Sequence, residues 1–364
     1  MNEISAIAID SAKSVFEVGL FDREGALVAR KRLKRAAFKR FMAEKAPRVA
    51  VGIEASGGVH HWARWLTELG FSVKVMPPQV VKAYRVGAHK SDRRDVLAIA
   101  EAMARPGVPS VPVKSEAAQR LQALVRIRAR IVQQRVQAGL QMRGLLVEFG
   151  IVAPKGRKKF ADFLATLAET PDWQALDDET RAIFADLGAE LEVLEKREAE
   201  ADARLRAAQS ENAQCRALRT IPSIGPINAV QLSALLEAPD LFRSGRAFAS
   251  YLGLVPGENQ SGDRDRQRPI TKAGSRQART LLMLAAQNLL ITARRQASKG
   301  IELDRLHAWA LALAERKGKA KHNVAVAAVA GKLARIAWAV MAGQTVYRDQ
   351  PAPSPTPTSA MNAA

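Results

Sequence analysis

The sequence predicts an α/β + α protein, a mixed sheet with helices followed by a mainly helical remainder. Three observations predict it: short apolar runs alternate with helical periodicity through residues 1–112, two long helical stretches follow, and an Ala/Leu-rich helical region closes the chain. Ile4–Ile9 is an apolar run that ends at Asp10, and Val15–Leu20 and Ala26–Leu33 follow it at hairpin spacing. Ala36–Lys45 has helical periodicity. Val49–Ile53 is a fourth strand, ending at Glu54; Val59–Leu69 is helical; Phe71–Met76 is a fifth strand, stopped by Pro77-Pro78.

Ser115, with Glu116 in the first turn, opens a long helix to about Phe149, on which Val125, Val132, Val136 and Leu140 read as one apolar stripe among many arginines. Arg126 and Arg130 are its candidate phosphate contacts. A second long helix, Asp178 to Ala208, carries Leu187, Leu191, Leu194, Ala201 and Leu205 at spacings of a coiled coil or a helical hairpin. Such an arm either pairs with a second copy or folds back as an intramolecular bundle. Residues 216–348 read as a helical domain interrupted by the polar loop Pro256–Ile270, and 349–364, rich in Pro, Ser, Thr and Ala, as a disordered tail. The division is therefore 1–112, 113–215, 216–348 and 349–364.

Charge selects the partner. The 364 residues include 56 Lys plus Arg against 36 Asp plus Glu, a net charge of +20, and 48% are hydrophobic, enough to bury cores. A folded, strongly basic surface points to a polyanion, nucleic acid first. One cysteine excludes an intrachain disulfide and a Cys-rich zinc module, and the five His lack metal-ligand spacing. No leader opens the chain, and the apolar stretch Asn323–Gly343 is interrupted by Lys332 and Arg335, so a cytoplasmic, nucleoid-associated protein without a membrane span is expected.

Four carboxylates are the candidates for chemistry. Asp10 and Glu54 each terminate a strand, while Asp92 and Asp95 share one face at the start of a helix. If the two strands are neighbours, their carboxylates emerge at one sheet edge and the helix completes a cluster. Such a cluster needs hard cations, and oxygen-only ligands suit Mg²⁺ or Mn²⁺ at a phosphodiester. Taken singly, each also fits an ordinary strand end or a helix N-terminus.

AIAIDSAKSVF, GIEASGG, HKSDRRDVLAIAEA and RPGVPSVPVKSEAAQRLQAL, in that order, resemble the insertion-sequence 110 family of transposases, in particular its 1111 group. The resemblance extends through RIRARIVQQRVQAGLQMRGLLVEFGI into the C-terminal region. It implies a RuvC-like, RNase H-type nuclease domain with a DEDD tetrad on Asp10, Glu54, Asp92 and Asp95. Ser56 stands where the family usually has Thr, and Val96 where it has Ala.

ALRTIPSIGPINAVQL reads as helix, tight turn, helix, with Gly225 free to take the conformation that exposes N–H groups at a helix start. It resembles the family's helix-hairpin-helix, with Ser223 in place of the usual first Gly; from turn chemistry alone a plain helix corner fits as well. After FASYLGLVPG, residues Arg264, Arg266, Arg268, Lys272 and Arg276, with Arg279, form a cationic segment suited to phosphates. Ser261, just ahead of it, reads by itself as a solvated loop residue with no His as base. The family resemblance makes it the serine that attacks DNA, with Ile270-Thr271-Lys272-Ala273-Gly274 as the matching downstream segment and Asp263 in place of a Gly. It further implies a covalent serine–DNA intermediate, a structured noncoding RNA that selects donor and target DNA, and a homodimer or tetramer. Two rivals stay open from the residues: a junction nuclease in which water attacks, and a basic nucleic-acid-binding protein whose acidic cluster is structural.

Overall fold

The computed structural model describes residues 3–45, 49–85, 92–257, 260–261, 264–265 and 268–349. They form two compact units, 1–117 and 118–364.

In the first unit β1 (Ala6–Ser11), β2 (Val15–Phe21), β3 (Leu27–Lys34), β4 (Ala50–Glu54) and β5 (Ser72–Met76) form one sheet in the order β3-β2-β1-β4-β5. The first three strands pair antiparallel, whereas β1, β4 and β5 run parallel. Side chains alternate between faces along each strand. One face carries Ile7, Ile9, Phe16, Val18, Val51 and Ile53, covered by α1 (Arg35–Ala43) and α2 (Val59–Glu68) through Phe38, Met42, Trp62 and Leu66. The other face carries Ala8, Phe21 and Met76 beneath α3 (Pro78–Ala83) and α4 (Asp92–Ala104). Both faces are covered over β1, β2 and β4, which are apolar almost throughout, whereas the edge strand β3 carries Arg30, Lys31, Arg32 and Lys34 and is largely exposed.

The seat of α4 is a row of small residues across three strands: Ala8 is paired with Gly19 on β2 and with Gly52 on β4. A Cβ on Gly19 would lie 2.3 Å from Val96 Cγ1, and one on Gly52 would lie 2.8 Å from Met103 Sδ. Glycine at these two places lets the helix come this close without displacing the Val96 or Met103 side chain. The far end of α4 is held by Lys74 on β5, whose Nζ donates to Met103 O and Arg105 O, each at 3.2 Å, where a cation complements the helix dipole.

In the second unit α5 (Glu116–Glu148), α6 (Arg157–Thr166), α7 (Pro171–Gln174) and α8 (Asp178–Glu211) form the helical arm. Ala138, Met142, Leu146, Phe160, Phe184, Leu191 and Leu194 share its core, so within one chain the arm is an intramolecular bundle. Leu191, Leu194 and Leu205 of α8 are buried as their spacing predicts, but the expected stripe on α5 needs correction. Val125 is buried as expected, but Val136 and Leu140 are exposed, and Ala118, Ile131, Ala138, Met142 and Leu146 are buried in their stead. The helix changes partners along its length. Val125 packs into the C-terminal core, whereas Ala138, Met142 and Leu146 pack within the arm.

That core collects α9 (Ala213–Leu218), α10 (Pro226–Leu235), α11 (Gly245–Tyr251), α12 (Arg276–Ser298), α13 (Arg305–Lys317) and α14 (His322–Ala342). Among the described residues α14 is the one helix long and apolar enough to cross a membrane; Val326, Val329, Leu333 and Ala337 are buried in this core. Among the described residues of the polar loop Pro256–Ile270, β6 (Gln260–Ser261) pairs antiparallel with β7 (Arg264–Asp265) as a short hairpin. The single thiol, Cys215, is fully buried, and burial, only partly countered by the Ser233 hydroxyl, pushes its pKa up, which removes it as a nucleophile.

Candidate active site and nucleic-acid surface

Register brings the two strand-end carboxylates together. Ile9 pairs with Ile53 in the parallel ladder, so the next residues, Asp10 and Glu54, stand side by side where β1 and β4 end. By alternation both lie on the face of Ala8 and Gly52, the face that seats α4. Beyond them, the Ser11 and Ser56 hydroxyls, 2.7 Å apart, tie the two strand exits together.

Asp95, in the first turn of α4, is buried to 3% exposure, and Arg85 links it to the strand ends. Arg85 Nε lies 2.7 Å from Asp95 Oδ1, and its terminal nitrogen lies 3.5 Å from Glu54 Oε2. Asp92 is the first residue of α4, one turn ahead of Asp95; its side chain is outside the described residues. Among the described residues no three acidic, His or Cys side chains converge as a ready metal cage. Glu54 and Asp95 converge on a guanidinium instead. In charge and donor chemistry the carboxylates therefore fit a hard divalent cation, at a place where a cation is already held.

Sequence reasoning missed two charged neighbours. Glu17 is paired with Asp10 across the antiparallel ladder, is 5% exposed, and meets Arg30 at 3.3 Å. Its other oxygen, Oε2, has no hydrogen bond among the described residues. The signal was present: a carboxylate at a mid-strand position between Phe16 and Val18, where both faces of the sheet are covered. Arg85 gave no signal, since it follows a short helix in an otherwise ordinary run.

In the second unit the segments on either side of the Ser261 hairpin lock together through their backbones. Lys272 N donates to Gly253 O, Thr271 N to Val255 O, Gly257 N to Pro269 O and Arg268 N to Gly257 O, at 2.9 to 3.1 Å. Gly253 and Gly274 have φ of +68° and +64°, and a Cβ there would lie 2.2 Å from Ala273 N and 2.0 Å from Tyr251 O. Arg279, read from sequence as a phosphate contact, is spent on this base instead, donating to Leu252 O and Ala273 O. Ser261 lies on the hairpin paired with Arg264; the side chains of both, and all of Asp263 and Arg266, lie outside the described residues. Gly274→Ala is expected to distort this base at a cost of about 1–3 kcal/mol and to lower DNA cleavage while leaving the carboxylates untouched, checked by denaturant melts and cleavage assays on one preparation.

Of the candidate phosphate contacts, Arg126, Arg130, Arg268, Lys272 and Arg276 are exposed. Other arginines of α5 are consumed internally: Arg128 and Arg135 meet buried Glu198 at 3.6 and 2.6 Å, and Arg143 stacks on the Phe160 ring at 3.9 Å. In the turn between α9 and α10, Ser223 itself takes the left-handed conformation, φ +63°. Gly225 is the N-cap of α10, with extended backbone, φ −80°, and open space where a Cβ would stand. The left-handed reversal thus falls at Ser223, three residues ahead of Pro226, where α10 starts.

A transposase model of the DEDD type matches residues 7–151, and a model described as "Transposase IS116/IS110/IS902 family" matches residues 215–301. These spans contain the carboxylates and the serine hairpin, and they define the class as a transposase, an enzyme that cleaves and rejoins DNA. A "Probable family 20 transposase" of Pseudomonas aeruginosa is 37% identical over 346 residues, covering 95% of this chain and 99% of the relative. The "Transposase for insertion sequence element IS1111A" of Coxiella burnetii is 32% identical over 96% of this chain and 92% of its own. That for element IS1328 of Yersinia enterocolitica is 31% identical over 95% and 99%. The chain belongs to the IS110 family of insertion-sequence transposases.

Proposed function

We propose that the chain excises and inserts its element through a covalent serine–DNA bond, with the carboxylate edge of the first unit and Ser261 of the second acting on one phosphate. The observation that carries this reading is the meeting of Glu54 and Asp95 on one cation, beside Asp10 at the parallel strand ends. The strand order β3-β2-β1-β4-β5, antiparallel then parallel, supports an RNase H-type, RuvC-like domain.

Asp10, Glu54, Asp92 and Asp95 would hold Mg²⁺ or Mn²⁺, which supplies Lewis-acid stabilisation of charge on the scissile phosphate. Ser261 Oγ attacks phosphorus, an Oγ–P bond forms, and the P–O bond to the leaving sugar hydroxyl breaks. The phosphodiester energy is kept in the new ester, so a hydroxyl of a second strand attacks it in turn and frees the serine. Arg264, Arg266, Arg268, Lys272 and Arg276 hold the backbone near the serine, while Arg126, Arg130 and the α10 N-terminus at Gly225 grip it elsewhere. Target choice falls to a structured RNA read by base pairing. That fits a chain of +20 with 5% aromatic residues, which grips backbones rather than stacking on bases. The carboxylates and the serine lie far apart in sequence, and a dimer or tetramer in which copies complete each other's sites is the assembly we favour.

The test is incubation of the protein with DNA carrying the element ends, the noncoding RNA of the element and Mg²⁺, followed by denaturing electrophoresis. A protein–DNA adduct that needs both RNA and metal is expected; metal-dependent nicking without an adduct would favour the junction-nuclease rival. Binding to DNA is expected to weaken linearly with salt in log–log terms, and Arg126→Ala and Arg130→Ala are each expected to reduce the slope by about 0.9, the share of one neutralised phosphate. Titrations at several salt concentrations check this, and a slope near zero would leave the basic surface without a polyanion.

A further inference from the structure

The metal-holding reading of the carboxylates leaves Arg85 unexplained. Its side chain is 26% exposed, and it spans a 4%-exposed Asp95 and a 17%-exposed Glu54. Two carboxylates held this close in a poorly hydrated place repel strongly without an intervening cation. One guanidinium removes a single charge of the pair. The contact is also a loose one: Arg85 Nε and Asp95 Oδ1 are 2.7 Å apart, yet among the described residues neither makes an aligned hydrogen bond, and the bond to Glu54 is long at 3.5 Å. A planar fork that favours bidentate pairing is here used as a point charge.

We propose that Arg85 is a built-in counter-ion, which holds Glu54 and Asp95 together in the metal-free protein and gives up that place when a divalent cation binds. It is a positioning residue that sets metal affinity, and the proposal rests on the metal-holding role of the carboxylates. Three consequences follow from competition for the same oxygens. The metal-free sheet edge is kept from springing apart; a metal must displace the guanidinium, which weakens its apparent affinity; and a doubly charged ion wins only once its concentration covers that competition. An ion pair that merely braces the fold would have the first effect and neither of the others.

The experiment is Mn²⁺ binding to the full chain, by calorimetry and by the electron paramagnetic resonance of free Mn²⁺, in wild type, Arg85→Gln, Arg85→Lys, Arg93→Gln and Glu54→Gln. Arg85→Gln is expected to bind Mn²⁺ about tenfold tighter, which corresponds to ~1.4 kcal/mol of removed competition. Its metal-free Tm is expected to fall by about 2–4 °C and to recover at saturating Mn²⁺. Arg85→Lys, which keeps the charge, should bind within about twofold of wild type, as should Arg93→Gln, which removes the same charge from an exposed position on α4. Equal or weaker Mn²⁺ binding in Arg85→Gln overturns the proposal, as does equal tightening in Arg93→Gln, which would make the effect one of net charge. If Glu54→Gln abolishes Mn²⁺ binding while Arg85→Gln leaves it unchanged, the carboxylates keep their metal role and Arg85 alone loses its own. Absence of Mn²⁺ binding in both wild type and Arg85→Gln sinks both readings together.

Discussion

Ser261→Ala eliminates the covalent protein–DNA adduct and recombination, while DNA and RNA binding persist: this is the result expected if the hairpin serine is the nucleophile. The substitution deletes one oxygen. The base of the hairpin is built from Gly253, Gly274 and backbone hydrogen bonds, which the substitution leaves in place. A nuclease that activates water would keep nicking in this variant, since its nucleophile comes from solvent. Ser275→Ala is the comparison within the same basic segment, and it is not structurally silent. Ser275 caps α12, accepting from Ala278 N at 3.3 Å, so its removal should cost about 1 kcal/mol of stability while the adduct still forms. Persistence of the adduct in Ser261→Ala, or its disappearance only in Ser275→Ala, would overturn the assignment. Denaturing gels read the adduct, and gel shifts on the same samples read binding.

The carboxylates should show the second large effect. Asp10→Asn, Glu54→Gln, Asp92→Asn and Asp95→Asn are each expected to lower strand cleavage by at least about 100-fold, beyond what removal of an outer partner of a metal ligand causes. Amides are preferable to alanine because Asp95 is buried against Arg85, and truncating it strands that guanidinium at a cost of up to about 3 kcal/mol. Thermal melts of each variant separate impaired chemistry from impaired folding. Normal cleavage in any two of the four would sink the tetrad.

Much of the first unit was legible because strand and helix periodicities are local. The alternation of Ile7 and Ile9 with Ala8 and Asp10 already assigns faces, and an acidic residue ending each of two apolar runs already marks strand exits. The start of α4 at Asp92, the long helices and the leucines of α8 follow from spacing in the same way. The stripe on α5 was misread because a helix of 33 residues meets two different cores, and no single face serves both.

What the sequence by itself determined, then, is the order and kind of the elements, the positions of Asp10 and Glu54 at strand ends, the basic surface and the family. Tertiary structure decided which charges are spent inside. It set Arg279 to hold the hairpin base, Arg128 and Arg135 to neutralise buried Glu198, Glu17 to stand beside Asp10, and Arg85 to bridge Glu54 and Asp95. The reason is that an element's face is encoded by neighbours three, four or two residues away. The partner of a charge is instead fixed by register and close approach between segments far apart in the chain, such as Gly19 and Gly52 receiving α4, and no local pattern carries that pairing.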